Sequence, residues 1–380
     1  MQSSVSPDVP PSSPSSSPTG CPSTRRQLLT GLALGAGALL APSRSSSQTP
    51  PGPRIIDIHR HFVSPSFLAV LNAKQGRKVE GFTSFFPLGP WKDYSPARDI
   101  ETMDKQGIAT SMISTTSPGT WFGDRDETRR LAREMNEYGA RMTTDYKGRF
   151  GLFALLPMPS VDDSLKEIEY ALDTLKADGI GLLTSTGNRY LGDPAFQPIF
   201  DELNRRKAVV YTHPIDAPCC QNVGTPGVTP TTLEFPTDTT RAILSFIASA
   251  PNTPSPATRY GDIRFIFSHG GGTLPAIIGR VGVGGPDDLA DNLTKPAAPN
   301  SRLYHLRRFY YDTAMSTNPV QINALKLIAG SSQILFGTDY PFGGDAVKHR
   351  QGLEKCGLTP DELRGILREN SAKLLPGYSS

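Results

Sequence analysis

The chain has 380 residues, of which 37% are hydrophobic and 20% charged, an ordinary globular composition with enough chain for one large domain. Its 39 basic and 36 acidic residues nearly balance, and like charges form no long run. This balance argues against the basic surface that nucleic-acid binding needs, so we expect a small molecule as the partner.

The first 41 residues differ in composition from the rest of the chain. Ser and Pro dominate residues 3–22, which lack apolar periodicity and are expected to be disordered. Arg25 and Arg26 then precede a short apolar stretch that ends in small residues suitable for cleavage, near Ala38 or Ala41. This order resembles a twin-arginine signal and predicts export to the periplasm. The alternative is a membrane anchor, but about 14 apolar residues fall short of the roughly 20 that span a bilayer.

From residue 53 to residue 376, short apolar runs alternate with longer segments of helical period, which predicts one α/β catalytic domain with the fold of a (β/α)₈ TIM barrel. The predicted strands are Arg54–Ile58, Ile108–Ser114, Phe150–Leu156, Gly179–Thr184, Ala208–Thr212, Ile263–Ser268, Phe309–Asp312 and Gln333–Phe336. The predicted helices include Pro96–Gln106, Asp126–Tyr146, Asp162–Ala177, Ala195–Arg206, Thr237–Ala250, Pro319–Ala329, Ala346–Lys355 and a final helix from Thr359 to about Leu375.

Several residues are predicted to cap these helices, because they stand just before apolar-periodic runs: Asp162, Asp193, Thr237, Asn318 and Thr359. Two stretches, Val63–Tyr94 and Val281–Leu306, are longer than ordinary connections and are predicted to be functional loops.

Polar side chains follow four of the predicted strands. His59 and His61 end the first strand, His213 the fifth, His269 the sixth and Asp339 the eighth. Because the carboxyl ends of parallel barrel strands meet at one face, we expect these residues to converge. His59 and His61 are two positions apart, so both side chains point to the same side of the strand.

Imidazoles together with one carboxylate are the ligand set of a catalytic zinc site, and manganese also accepts them. The alternative for any single histidine is an ordinary satisfied polar group, which is the interpretation we give to His305 and His349. For the histidines at the strand ends, a chance gathering with Asp339 at one face is the less economical explanation. The sequence therefore predicts a metal centre.

The strand-end motifs resemble the amidohydrolase superfamily, in its branch of aminocarboxymuconate-semialdehyde decarboxylase and related aromatic-acid decarboxylases. The resemblance spans residues 54–375 and rests on four motifs: Asp57-Ile58-His59-Arg60-His61-Phe62, Thr212-His213-Pro214, Ser268-His269-Gly270-Gly271-Gly272 and Phe336-Gly337-Thr338-Asp339-Tyr340-Pro341-Phe342.

By this resemblance His59, His61, His213 and Asp339 bind one divalent metal, with Zn²⁺ expected first and Mn²⁺ as the alternative. His269 lies beside the metal with an acid/base or substrate-orienting role. Binuclear members use a carbamylated Lys at the end of strand four. The segment from Gly179 to Ser185 contains no Lys, so a single ion is expected.

The resemblance also implies a homodimer or higher homo-oligomer in which an Arg, eleven residues past His269, binds the substrate carboxylate of the neighbouring subunit. That position is Arg280, for which a solvated helix end or a structural ion pair is the alternative. A second carboxylate-binding Arg of the semialdehyde decarboxylase aligns with Asp99, next to Arg98. This departure favours the hydroxybenzoate-type branch, which includes 6-methylsalicylate decarboxylase.

We therefore predict a metal-dependent, non-oxidative decarboxylase of a small hydroxyaromatic or related unsaturated acid, with His269 or Asp339 as proton donor. Phe342 and Trp121 are the first choices for contacts to the substrate ring, among the candidates Phe85, Phe86, Trp91 and Phe235. The main alternative is a hydrolase in which a metal-bound water attacks a lactone, ester or amide carbonyl. A binding protein that has lost activity is a third possibility.

Overall fold

The apolar runs form eight strands in the computed structural model, which describes residues 54–75, 88–216, 226–249, 252–282 and 289–379. The predicted signal within residues 1–41 lies outside the described residues. The strands are β1 (Ile55–His61), β2 (Ile108–Ser114), β3 (Phe150–Leu155), β4 (Gly179–Leu183), β5 (Val209–His213), β6 (Arg264–Phe267), β7 (Tyr310–Asp312) and β8 (Ile334–Leu335). A separate hairpin pairs Ser185–Thr186 with Arg189–Tyr190.

The eight strands pair in parallel and in chain order. The chain after β8 then returns to β1: Ile58 N donates to Phe336 O at 2.8 Å, and Asp339 N donates to His59 O at 2.9 Å. These bonds close the sheet, so the predicted (β/α)₈ barrel is confirmed. All the carboxyl ends of the strands lie at one face, where barrel enzymes place their active sites.

Two layers of buried apolar side chains stabilise the barrel. The inner layer consists of alternate strand residues and is completed by two leucines near the chain end: Ile58, Met112, Phe153, Val209, Tyr211, Ile266, Leu335, Leu374 and Leu375. The larger outer layer lies between strands and helices and includes Phe150, Phe246 and Phe265. Strand β1 is buried along its whole length, so both of its histidines are held firmly by packing.

The helices are α1 (Pro65–Lys74), α2 (Pro96–Gln106), α3 (Arg125–Asp145), α4 (Val161–Glu169), α5 (Gln197–Arg205), α6 (Pro230–Ile247), α7 (Pro256–Arg259), α8 (Leu289–Thr294), α9 (Arg302–Leu306), α10 (Pro319–Ala329), α11 (Ala346–Glu354), α12 (Pro360–Arg364) and α13 (Asn370–Leu374). One π-helical turn, Tyr170–Thr174, continues α4, and another, Gly365–Glu369, joins α12 to α13. No helix in the described ranges is both long and apolar enough to cross a bilayer.

Two predicted caps are confirmed. Asn318 accepts from Gln321 N at the start of α10, and Thr359 forms a reciprocal capping box with Glu362 at the start of α12. Asp193 also caps, but it caps the short 3₁₀ turn Pro194–Phe196 that precedes α5.

Three local predictions are wrong. Helix α6 begins at Pro230, well before Thr237, because tertiary packing accommodates Pro236 inside the helix. Ser160, not Asp162, caps α4, since Ser160 has the extended backbone from which its hydroxyl reaches Asp163 N. The stretch predicted as a long loop after β1 contains helix α1, and the loop after β6 contains α8 and α9.

Candidate metal centre and active site

Four side chains from three distant parts of the chain meet at the carboxyl face of the barrel. His59 and His61 lie on β1, His213 is the last residue of β5, and Asp339 follows β8. One ligand atom from each lies within 4.8 Å of the others. The histidines are buried and the Asp339 side chain is 13% exposed. This group could hold one metal ion, as the sequence predicts.

The nitrogens of the cluster face one another at short range. His59 Nε2 lies 3.0 Å from His61 Nε2, and Asp339 Oδ1 lies 3.0 Å from His61 Nε2 and 3.3 Å from His59 Nε2. Two imidazole nitrogens at this separation need a shared proton or a cation between them. The donor set therefore fits a divalent metal.

Burial and the neighbouring charges act in opposite directions on these groups. Burial disfavours the His59 imidazolium, but the carboxylates of Asp312 and Asp339 outweigh it and raise the pKa of His59 to about 10. Burial lowers the pKa of His61, and burial with the nearby histidines lowers the pKa of His213 well below its usual value. The site thus favours one positive charge at its centre and neutral rings at His61 and His213, as metal ligation requires.

The carboxylate at the site stays ionised. Burial alone would raise the pKa of Asp339, but His59 first, then His269 and His61, hold it well below its usual value. Asp339 has a φ of 60°, in the left-handed region that Asp and Asn tolerate better than other side chains. In this conformation the two carboxylate oxygens of Asp339 contact different groups. Oδ1 faces the β1 histidines, and Oδ2 lies 3.4 Å from His269 Nε2.

The opposite ring nitrogen of each candidate ligand meets an acceptor. His59 Nδ1 lies 2.8 Å from Asp312 Oδ2, His61 Nδ1 lies 3.3 Å from Ser114 O, and His213 Nδ1 lies 2.8 Å from Pro214 O. An acceptor at Nδ1 places the proton there and leaves the lone pair of Nε2 for a metal.

His269 lies beside the cluster on a glycine-rich loop. Its own φ is 55°, and Gly270, Gly271 and Gly272 also have positive φ. A Cβ at Gly272 would lie 1.9 Å from the carbonyl oxygen of Pro236, so only glycine permits this approach to α6. The glycine triplet thus permits close backbone approach beside the site.

A cavity of about 820 Å³ opens above His269 and Asp339. Its walls are mainly apolar, and its lining includes Phe235, Phe342 and Met315. The volume lies within the range of small-molecule sites, and an apolar wall with a few convergent polar groups is their usual composition.

Of the other predicted site residues, only some line this cavity. Phe342 lines the cavity, and its ring centroid lies 6.1 Å from that of His61. Trp121, in the loop after β2, is partly buried and is not in the cavity wall described above, and its indole N–H meets no acceptor among the described residues. The Trp91 ring packs against the Phe342 ring in an edge-to-face contact. Phe85 and Phe86 lie outside the described residues.

Arg280 is exposed at the end of the 3₁₀ helix Leu274–Arg280 and does not line the cavity of its own chain. Pro275 and Ala276 of the same helix do line it, so Arg280 lies beyond the rim. Arg98 is exposed and pairs with Asp93, whereas Asp99 is buried against Arg60 with Arg60 Nε 2.7 Å from Asp99 Oδ1.

Sequence reasoning missed four polar residues that support the site. Two of them are buried acids: the Asp57 carboxylate accepts from Thr338 N, and the Asp312 carboxylate contacts His59 Nδ1. Thr116 Oγ1 lies 3.4 Å from His213 Nε2. The His349 ring nitrogens lie 3.2 and 3.3 Å from the carbonyl oxygens of Gly337 and Gly343, which flank Asp339. His305 bonds Thr258 far from the site, as an ordinary satisfied histidine.

The family model described as Amidohydrolase matches residues 56–377. The decarboxylase yanB of Aspergillus niger is 32% identical over 339 residues, which cover 85% of this chain and 88% of that protein. The 6-methylsalicylic acid decarboxylase of Penicillium expansum is 34% identical over 292 residues, which cover 75% of this chain and 84% of that protein.

Among solved structures, a dihydroxybenzoic acid decarboxylase from Polaromonas sp. JS666, with bound manganese and the inhibitor 2-nitroresorcinol, has the same fold. It matches with a TM-score of 0.69 at 20% identity, covering 85% of this chain and 96% of that one. The resemblance inferred from the strand-end motifs is therefore confirmed. The chain belongs to the amidohydrolase family.

Proposed function

We propose that the protein is a metal-dependent decarboxylase that removes CO₂, without oxidation, from a small hydroxyaromatic carboxylic acid. The observation on which this rests is that Asp339, a member of the ligand cluster, and His269, which contacts Asp339, both line the apolar cavity above the cluster. Decarboxylation is also the activity named for both relatives, at 32% and 34% identity, so the predicted reaction class, carboxy-lyase, is confirmed.

The reaction needs a held carboxylate and a proton. When the bond from the ring carbon to the carboxyl carbon breaks, the ring carbon keeps the electron pair and must take up a proton. A divalent metal held by His59, His61, His213 and Asp339 would supply positive charge for the carboxylate and the adjacent phenolic oxygen. His269 Nε2 lies 3.4 Å from Asp339 Oδ2 at the cavity, so a proton carried by His269 can reach the ring carbon directly or by way of the Asp339 carboxylate, which first accepts it.

The cavity walls favour an aromatic substrate. Phe342 and Phe235 give it two rings, and the Phe235 centroid lies 5.9 Å from that of His213. Such walls exclude water from the reacting carbon and offer edge and face contacts to a substrate ring. We assign the ring contacts to Phe342 and Phe235, since both line the cavity, whereas Trp121 does not.

We propose a single Zn²⁺ as the native ion, with Mn²⁺ as the alternative. Three imidazoles with one carboxylate form a zinc-type ligand set that manganese also accepts. The Polaromonas relative, in which manganese is bound, supports the alternative.

We further propose that the protein works as a homodimer or higher homo-oligomer in which Arg280 binds the substrate carboxylate of the neighbouring subunit. Two observations support this role: Arg280 is exposed, and it does not line the cavity of its own chain. Met315 and Val320 line the cavity and are 62% and 84% exposed, an apolar rim that a second copy would cover. Sedimentation velocity checks the assembly, and a monomer at working concentration contradicts it.

Export to the periplasm through Arg25 and Arg26 is a separate proposal that rests on the sequence alone. Replacing both by Lys should leave the full-length protein in the cytoplasm of a bacterial host, as measured by cell fractionation. Unchanged export of the double variant would contradict the twin-arginine route.

The central experiment compares two substrate panels with the metal-free protein after loading with Zn²⁺ or Mn²⁺. We expect CO₂ release from ortho-hydroxybenzoates, including 6-methylsalicylate, and competitive inhibition by nitro analogues. Acid release from lactones or esters without CO₂ release from any hydroxybenzoate would replace the decarboxylase proposal with the hydrolase. A protein that binds neither ion would overturn both.

A further inference from the structure

A buried carboxylate at the end of β7 bonds both to a metal-ligand candidate and to the backbone of His269. Asp312 Oδ2 lies 2.8 Å from His59 Nδ1, and Asp312 Oδ1 accepts from His269 N at 3.0 Å and from Ala314 N at 2.9 Å. The Asp312 side chain is fully buried. Both oxygens are therefore engaged, each by a different part of the site.

The direction of the bond to His59 follows from the chemistry of the partner. Asp312 Oδ1 already accepts from two backbone N–H groups, and the ring N–H is the natural donor to Oδ2, so the hydrogen bond places a proton on Nδ1 of His59. The lone pair of Nε2 then points toward His61 Nε2 and Asp339 Oδ1, at 3.0 and 3.3 Å. With Nδ1 engaged by Asp312, Nε2 is the ring nitrogen left for a cation, whereas the opposite arrangement would present an N–H to it.

Gly337, just after β8, packs closely against this contact. A Cβ at Gly337 would lie 2.8 Å from His59 Cβ and 3.1 Å from Asp312 Cβ, so a side chain at this position would displace one of the two residues. On the other side, His269 is held at φ 55° by Asp312 at its N–H and by Gln321 Nε2, which donates to its carbonyl oxygen at 2.9 Å.

We infer that Asp312 is a positioning residue that fixes the metal-binding tautomer of His59 and holds the backbone of His269 in its left-handed conformation. One carboxylate thus orients both the ring of the metal ligand His59 and the backbone of the neighbouring acid/base group, His269. This inference rests on the proposed metal centre and deepens it.

Asp312→Asn separates this role from a merely structural one. The Asn oxygen can still accept from His269 N and Ala314 N, but its NH₂ group then faces His59 Nδ1, which must become the acceptor. His59 then carries its proton on Nε2, toward the metal. We expect affinity for Zn²⁺ to fall about 10- to 100-fold, the usual loss when a partner of a metal-binding histidine is replaced.

The measurement is competition for Zn²⁺ between the full-length protein and a chromophoric chelator. The matched control is Asp178→Asn, which changes a carboxylate whose Oδ2 accepts from Leu152 N and Tyr378 OH, both at 2.9 Å, away from the cluster. The control should bind Zn²⁺ like the wild type. Equal affinity of Asp312→Asn and the wild type would overturn the inference while leaving the metal centre in place.

A second measurement does not depend on the folding of a variant. In the wild-type protein loaded with Zn²⁺, ¹⁵N NMR of the histidine rings should show His59 protonated at Nδ1 and bound to the ion through Nε2. Coordination through Nδ1 would overturn the inference. A wild type that binds no Zn²⁺ or Mn²⁺ would overturn the metal centre and this inference with it.

Discussion

The Asp57 carboxylate bonds twice to Thr338 across the seam where the barrel closes. Thr338 N donates to Asp57 Oδ1 at 3.0 Å, and Thr338 Oγ1 donates to Asp57 Oδ2 at 2.7 Å. Asp57 Oδ1 also accepts from His59 N at 3.2 Å. One buried side chain on β1 therefore fixes the neighbour of Asp339 relative to the strand that bears His59 and His61.

Asp339→Asn should abolish turnover and leave the fold intact. Asn adopts a positive φ as readily as Asp, so the backbone conformation at this position is retained. The amide has no negative charge and is a poor proton donor, so we expect kcat to fall by roughly 10²- to 10⁴-fold, the range for loss of a general acid or base. Circular dichroism checks the fold, and a kcat equal to that of the wild type would remove Asp339 from the mechanism.

Arg280→Ala should raise KM for carboxylate substrates without changing the metal content. A charged hydrogen bond contributes about 1.5–3 kcal/mol, which corresponds to an increase in KM of roughly tenfold or more. Arg98→Ala is the control, since Arg98 is exposed and pairs only weakly with Asp93 at 3.7 Å. Steady-state kinetics and metal analysis decide the matter, and an unchanged KM would exclude Arg280 from the site.

Asp99→Ala should strongly destabilise the protein. Arg60 is fully buried between Asp99 and Asp57, with Arg60 Nη2 2.5 Å from Asp99 Oδ1, and its guanidinium stacks 3.9 Å from the Tyr340 ring centroid. Removing one partner of a buried pair costs about 3–5 kcal/mol, whereas breaking the exposed pair of Arg98 costs at most about 1 kcal/mol. Urea denaturation of Asp99→Ala and Arg98→Ala measures both, and equal midpoints would refute the argument.

Acid stability should depend on Asp163. Its hydrogen bond from Arg125 Nε, at 2.5 Å, together with one from Ser160, lowers its pKa from 3.8 to about 2. A lowered pKa stabilises the fold above about pH 4, and that stabilisation is lost as the pH falls toward about 2. The difference in unfolding free energy between the wild type and Asp163→Asn should therefore shrink over this pH window.

The control for this prediction is Asp162→Asn, one position earlier on the same helix, where the side chain is exposed. Its unfolding free energy should follow that of the wild type at each pH. A constant difference between the wild type and Asp163→Asn from pH 5 to pH 2 would contradict the predicted dependence.

The barrel and the ligand cluster could be predicted from the sequence because both follow from short-range patterns. Buried parallel strands appear as apolar runs, and residues such as His213 stand directly after them. The common direction of the strands then brings distant ends together. The start of α6 could not be predicted in this way, because Pro236 within a helix is permitted only by tertiary packing.

The supporting residues of the site are harder to read from sequence for a different reason. Asp312 is the last residue of a predicted strand and His213 directly follows another, but nothing local shows that the oxygens of Asp312 face His59 Nδ1 and His269 N. Asp57, at the start of a recognised motif, bonds a residue 281 positions away. Such contacts depend on barrel register, which a single sequence does not specify.

Because the barrel closes between its first and last strands, the ligand cluster does not exist until the segment after β8 has paired with β1. His61 and Asp339, 278 residues apart, come together only when the segment after β8 pairs with β1. During synthesis, His59 and His61 are made long before the segment that bears Asp339. Binding of an ion by all four residues therefore requires a closed barrel, and metal content would report that closure.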